Sequence, residues 1–127
     1  MQLLLDTHAF LWWNADAPAL GQEARAAIAT RESTVFVSAA TAWEIELKRA
    51  KGKLAVEGDV EDWIGLNAFV PLSIDIAHTV ASAGLPPHHR DPFDRMLVAQ
   101  AQLEELTLVT ADSQIRRYEV QMLDAST

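Results

Sequence analysis

Cysteine is absent from this chain, which excludes disulfide staples, zinc fingers, iron–sulfur clusters and thiol catalysis. Glycine and proline are scarce, five of each in 127 residues, too few for a flexible linker or a low-complexity tract. No internal repeat is visible. Basic residues are outnumbered, ten Lys and Arg against eighteen Asp and Glu, for a net charge of −8. A protein of that sign does not hold a nucleic-acid backbone by bulk field, which argues against non-specific coating of duplex DNA. Nothing approaches the roughly 20 consecutive apolar residues of a membrane helix. Met1 to Asp6 has neither the basic start nor the long apolar run of a secretory signal. What the chain does have is core: half of it is apolar and 22% charged, which favours packing over disorder. The length is that of one domain, residues 1–127, expected to be cytoplasmic with no membrane association.

The rhythm along the chain is strand, then helix. Leu3-Leu4-Leu5 is a short, wholly apolar run, as in a strand covered on both faces, and His8 to Trp13 reads as the start of a helix. Residues 22–31 are rich in helix formers. Val35-Phe36-Val37 is a second strand, after which Ser38 suits the cap of a helix over Ala39 to Lys51, with Gly52 where helices commonly end. Asp59 to Asn67 and Asp75 to Ala83 read as helices, and Phe69 to Leu72 as a strand between them. Asp91-Pro92 then opens the clearest helix, with aspartate as cap and proline in the first helical position, continuing from Phe93 to Glu105. Thr107 to Thr110 is a strand, Ala111 to Arg117 a turn with a short helix, and Val120 to Leu123 a last strand. Alternation of this kind predicts an α/β sandwich, a mostly parallel central sheet flanked by helices. Ligands of such folds bind beyond the carboxyl ends of the strands.

Four acids fall where that rule points. Asp6 and Asp112 lie just past the ends of apolar strands, Glu44 two turns into a helix that follows a strand, and Asp94 in the first turn of the helix opened by Asp91. Four carboxylates brought together repel one another unless a cation intervenes, and an all-oxygen donor set suits Mg²⁺ or Mn²⁺. Such an ion fits phosphoryl-transfer chemistry. Each acid also has a local reading. Asp6 and Asp91 can cap helices, and Asp112 can serve a turn. Thr41-Ala42-Trp43-Glu44 matches a capping box, and Glu44 can pair with Lys48 one turn on. For Glu44, spacing alone favours the local reading.

The segments become specific when read together. Leu3-Leu4-Leu5-Asp6-Thr7-His8-Ala9-Phe10-Leu11-Trp12-Trp13 resembles the opening motif of PIN domains, in particular of VapC-type toxins. Ser38 to Ile45, with Lys48 and Gly52-Lys53-Leu54 beyond, resembles their second motif. His89-Arg90-Asp91-Pro92-Phe93-Asp94-Arg95-Met96-Leu97 resembles the third, and Leu108-Val109-Thr110-Ala111-Asp112 the fourth. The motifs run in order over nearly the whole chain, although residues 54–87 carry none. The resemblance implies a three-layer PIN-like sandwich and a metal-dependent endoribonuclease, the toxin of a type II toxin–antitoxin pair. It implies Asp6, Glu44, Asp94 and Asp112 as catalytic and metal-binding carboxylates for Mg²⁺ or Mn²⁺. Thr110, and with it Thr7, would orient those ligands, and Asp91 stands at the edge of the set. The partners implied are RNA, a VapB-type antitoxin and a second copy of the chain.

Charge is distributed to suit that reading even though its sum is not. Eight of the ten basic residues lie near a motif acid in sequence. Among them Lys48, Arg49, Arg90 and Arg95 are the candidates for RNA contact. His88 and His89, being adjacent, are poorly spaced for a helical metal site and read as loop residues able to touch RNA. Trp12, Trp13, Trp43 and Trp63 read as core or interface rather than base-stacking platforms. Two rival classes fit less well. A receiver-like regulatory domain needs a lysine after a late strand, and the last lysine is Lys53. A haloacid-dehalogenase-like phosphatase needs an aspartate two residues after the first, where His8 stands. A non-catalytic PIN-like RNA-binding domain is the remaining alternative, opposed by the retention of all four acids.

Overall fold

The computed structural model describes residues 1–127. Its strands are β1 (Gln2–Leu5), β2 (Thr34–Ser38), β3 (Val70–Leu72), β4 (Thr107–Thr110) and β5 (Met122–Asp124). Its helices are α1 (Thr7–Asn14), α2 (Gln22–Ala29), α3 (Ala39–Ala50), α4 (Val60–Leu66), α5 (Ile76–Ala83) and α6 (Pro92–Leu103), with a 3-10 turn at Ile115–Arg117. The strands lie in the order β3-β2-β1-β4-β5 and every pairing is parallel. A purely parallel sheet must be covered on both faces, and the leucine run of β1 is the clearest consequence: Leu3, Leu4 and Leu5 are all fully buried. Leu3 and Leu5 belong to an apolar cluster with Phe10 of α1, Ile28 of α2, Ile45 of α3 and Val60 of α4. Leu4 turns to the other face, as strand side chains must, and joins Leu97 and Val98 of α6 and Leu108 of β4. Each such leucine stabilises the fold by about 1.5–3 kcal/mol on leaving water. The result is the three-layer sandwich. No helix is long and apolar enough to cross a membrane.

From β1 the chain builds β2 and β3 to one side, then crosses to build β4 and β5 on the other. The order therefore reverses between β1 and β4, and a crevice opens beyond their carboxyl ends at such a switch point. Asp6 and Thr110 sit at that edge, where the Asp6 backbone N–H bonds to the Val109 carbonyl at 3.0 Å. A buried polar strut holds the neighbouring elements in place. Ser38 Oγ donates to Gln100 Oε1 at 2.5 Å, and Gln100 Nε2 donates to the Ser73 carbonyl at 3.1 Å, tying the end of β2 to α6.

Element boundaries differ from the sequence expectation by a residue or two, and those after α4 and α6 share a cause. α3 ends as expected on Gly52, at φ +69°, with the Lys53 N–H closing on the Lys48 carbonyl at 2.9 Å. α4 and α6 end in the same reversal, Phe69 N–H to Ile64 carbonyl at 3.0 Å and Leu106 N–H to Ala101 carbonyl at 2.9 Å. Their left-handed residues, however, are Ala68 and Glu105 (φ 54° and 55°) rather than glycine. α6 accordingly stops at Leu103, short of Glu105, and β3 begins at Val70 instead of Phe69. The last strand spans Met122–Asp124 rather than 120–123, because the Val120 N–H folds back onto the Tyr118 carbonyl.

Candidate metal centre

Three of the acids start helical turns, and one oxygen of each does that work. Asp6 caps α1, its Oδ1 accepting the Ala9 N–H at 2.8 Å. Asp91 caps α6, its Oδ1 accepting the N–H groups of Phe93 at 2.8 Å and Asp94 at 3.3 Å. Asp112 Oδ1 accepts those of Gln114 at 2.7 Å and Ile115 at 3.2 Å, at the start of the 3-10 turn. Capping and ligation are thus compatible readings, since a carboxylate has two oxygens and a cap engages one. Asp94, in the first turn of α6 with Asp91 already serving as cap, needs neither of its oxygens for the helix.

The structure brings Asp94 and Asp112 together with His89, one ligand-capable atom from each lying within 4.8 Å of the others. His89 Nε2 stands 2.9 Å from Asp94 Oδ2 and 3.3 Å from Asp112 Oδ2. Spacing does not announce His89, because adjacent histidines cannot share a helix face. The available signal was its place two residues before a helix-capping aspartate, where a tight loop can aim a ring back at the first turn. Asp6 is buried at the end of β1, 3% exposed; its charge acts on Asp94, and the charge of Asp112 acts on it. The Thr110 hydroxyl lies beside the Asp6 carboxyl and accepts the Asp112 N–H at 3.0 Å, so it fixes two acids at once. Glu44 is held from both sides: Oε1 accepts the Thr7 hydroxyl at 2.6 Å and Oε2 the Lys48 ammonium at 2.7 Å. The Thr7 hydroxyl thus lies on Glu44, and the Glu44–Lys48 pair anticipated from spacing is present as well.

The electrostatics record how crowded the acids are. Burial pushes the Asp94 carboxyl up, helped by the charges of Asp91, Asp6 and Glu44 and opposed by His89, to about 7. Burial also raises Asp6, against the Thr110 hydroxyl and the Ala9 N–H. Lys48 is held above its ordinary value, first by its bond to Glu44, with Asp91 and Asp94 adding to it. Oxygen-rich, concentrated negative charge in a partly dry crevice is the environment that a hard divalent cation neutralises, so these residues fit such an ion.

The basic residues divide. Lys48 is at the acids, and Arg90 is exposed on the loop before α6. Arg49 is drawn to the other side of α3, where its Nη2 donates to the Gly58 carbonyl at 2.8 Å and its guanidinium lies 5.2 Å from the Trp63 ring centre. Arg95 is committed to a clamp: Nη1 donates to the Pro86 carbonyl at 3.0 Å and Tyr118 Oη at 3.2 Å, and Nη2 to the carbonyls of Ser82 at 2.9 Å and Leu85 at 3.1 Å. Neither guanidinium is directed at the acids. Of the tryptophans, Trp12, Trp13 and Trp63 pack against the core. Trp43 is 60% exposed and stacks edge-on against Phe93, 5.2 Å between ring centres, next to Asp94.

With fold and acids in view, the family is defined: the model of the PIN domain matches residues 3–121, and the chain belongs to that family. Solved structures share the architecture over their whole length. VapBC2 of Rickettsia felis, bound to a DNA fragment from its promoter, is 15% identical with a TM-score of 0.70, covering 97% of this chain and 98% of its own. A toxin–antitoxin complex from Klebsiella pneumoniae is 18% identical with a TM-score of 0.68, covering 97% of each chain. FitAB bound to a DNA fragment is 20% identical with a TM-score of 0.70, covering 98% of this chain and 96% of its own. At these identities the likeness is one of fold. No curated protein matches the chain.

Proposed function

We propose that this protein is a metal-dependent endoribonuclease acting as the toxin of a type II toxin–antitoxin pair. What supports the reading is a PIN-domain chain in which Asp94 and Asp112 meet at His89, with Asp94 pushed up to about 7 by burial and by the charges of Asp91, Asp6 and Glu44. Asp6, Asp94 and Asp112 would hold Mg²⁺ or Mn²⁺ through the oxygens left free by capping, with Glu44 closing the acidic ring. When bound, such an ion activates water and neutralises charge on a phosphodiester. Thr7 would orient Glu44, Thr110 would orient Asp6 and Asp112, and Lys48 and Arg90 would meet RNA phosphates. Protein stripped of metal in excess EDTA should cleave no RNA, and added Mg²⁺ or Mn²⁺ should restore cleavage. Full activity of the stripped protein in a gel assay would overturn the metal requirement.

The partner in this reading is a VapB-type antitoxin encoded beside the toxin. A groove of about 580 Å³ between α3, α4 and β3 suits it, with Ala42, Ile64 and Leu72 as apolar lining and Glu46 and Asp62 as acidic sites for basic side chains. Ile76 and Val80, one turn apart on α5, are 82% and 68% exposed and support self-association into a homodimer. Light scattering at micromolar concentration should report a dimer, and the product of the neighbouring gene should co-purify and suppress cleavage. A monomer whose activity that product leaves unchanged would count against both parts.

A further inference from the structure

His89 is the group at the acid site that this chemistry leaves unused, and it is firmly built in. Its Nε2 bridges Asp94 and Asp112 at 2.9 and 3.3 Å, a spacing that would also suit a shared cation. Nδ1 decides which reading holds. It accepts the Asp91 backbone N–H at 3.3 Å, so the ring proton of the neutral imidazole sits on Nε2, directed at the two carboxylates. A metal-ligating imidazole has the opposite arrangement, donating to an acceptor through the nitrogen turned away from the ion. Here that nitrogen faces a donor. The mount is rigid as well: Tyr118 Oη accepts the His89 N–H at 3.0 Å, donates to the Pro86 carbonyl at 2.7 Å and accepts from Arg95 at 3.2 Å.

We propose that His89 is a positioning residue that stands in for the divalent ion: its Nε2–H cross-links Asp94 and Asp112 in the metal-free protein, and the ion must displace that bridge to bind. The proposal rests on the reading of these acids as a metal centre. Two like-charged carboxylates repel, and a shared N–H keeps them side by side at ligand spacing. A cation needs the same oxygen lone pairs, so bridge and ion exclude one another. Taking the imidazole away removes the competitor and leaves the carboxylates with a greater need of the ion.

The test is calorimetric Mg²⁺ titration of the metal-free full chain near pH 8, above the value of about 7 held by Asp94. His89→Ala should bind Mg²⁺ about three- to tenfold more tightly than wild type, the equivalent of one lost competing hydrogen bond. Tyr118→Phe, which loosens the mount, should shift affinity in the same direction by less. Imidazole ¹⁵N spectra should show the Nε2–H tautomer of His89 both before and after Mg²⁺ is added. Weaker or unchanged Mg²⁺ binding by His89→Ala, or a switch to the Nδ1–H tautomer on adding Mg²⁺, overturns the proposal. If His89→Ala does not fold, Tyr118→Phe and the wild-type spectra decide the matter. Asp94→Asn separates the two levels: Mg²⁺ binding equal to wild type would mean that the metal-centre reading has failed, whatever His89 does.

Discussion

Asp94→Asn should abolish RNA cleavage and at the same time raise the melting temperature of the metal-free protein, whereas Asp91→Asn should do neither. Asparagine caps a helix nearly as well as aspartate, so the second variant should stay within about 0.5 kcal/mol of wild type with cleavage reduced modestly at most. At position 94 no cap is at stake; what is removed is a charged oxygen on which, in the proposed metal centre, a hard cation would depend. The rise in stability follows from linkage. The Asp94 carboxyl titrates at about 7 in the folded chain against an ordinary 3.8, so between those values the folded state holds a proton that the unfolded state has lost. Its contribution is fully present below the lower value and lost as pH rises through the higher one. At 1.36 kcal/mol per pH unit the ionised carboxyl costs up to ~4 kcal/mol near pH 8. Losing the His89 bond returns about 1 kcal/mol of that. The net gain, between about 1 and about 3 kcal/mol, corresponds to a melting temperature higher by roughly 4 °C or more. Wild type without metal should therefore lose stability between about pH 4 and pH 7 more steeply than Asp94→Asn. Melting curves of both variants across pH, with and without Mg²⁺, beside an RNA cleavage gel, supply the check. An inactive Asp91→Asn with an active Asp94→Asn would reverse the assignment.

Arg95→Ala should be among the most damaging single changes in the molecule, and it should act on folding rather than on RNA. The Arg95 guanidinium satisfies the carbonyls of Ser82, Leu85 and Pro86 together with Tyr118 Oη, gathering the end of α5, the loop before α6 and the segment after the 3-10 turn. Truncation strands several partly buried acceptors, each costing about 1 kcal/mol or more, for a loss of about 2–4 kcal/mol. Lysine should recover little, because one ammonium cannot reproduce a planar fork that reaches carbonyls on two sides. Urea denaturation should show a lower midpoint with an unchanged slope. An unchanged midpoint, together with RNA binding that has become less sensitive to salt, would instead place Arg95 at the RNA surface.

What the sequence determined by itself was everything written in local patterns. The Leu3–Leu5 run specified a strand buried on both faces, and strand–helix alternation specified the layered α/β sheet. Ser38, Gly52 and Asp91-Pro92 marked helix ends through chemistry confined to a few neighbouring residues. Asp6, Asp94 and Asp112 stood out for the same reason, each just past a strand end or in the first turn of a helix, whereas Glu44, two turns into α3, was singled out only by the family resemblance. The ends of α4 and α6 were less so, because Ala68 and Glu105 take the left-handed conformation that glycine would have advertised. Tertiary structure alone decided what each side chain does at the crevice. A capping aspartate and a ligand aspartate look identical in sequence, and only the geometry shows that Oδ1 of Asp6 and of Asp112 caps while Asp112 Oδ2 faces His89. Arg49 and Arg95 read as RNA contacts because they lie near motif acids in sequence, but a long side chain goes wherever the fold presents unsatisfied carbonyls. His89 reaches Asp94 and Asp112 through a loop that Tyr118 fastens from 29 residues away, and long-range closure of that kind leaves no periodicity or spacing to read.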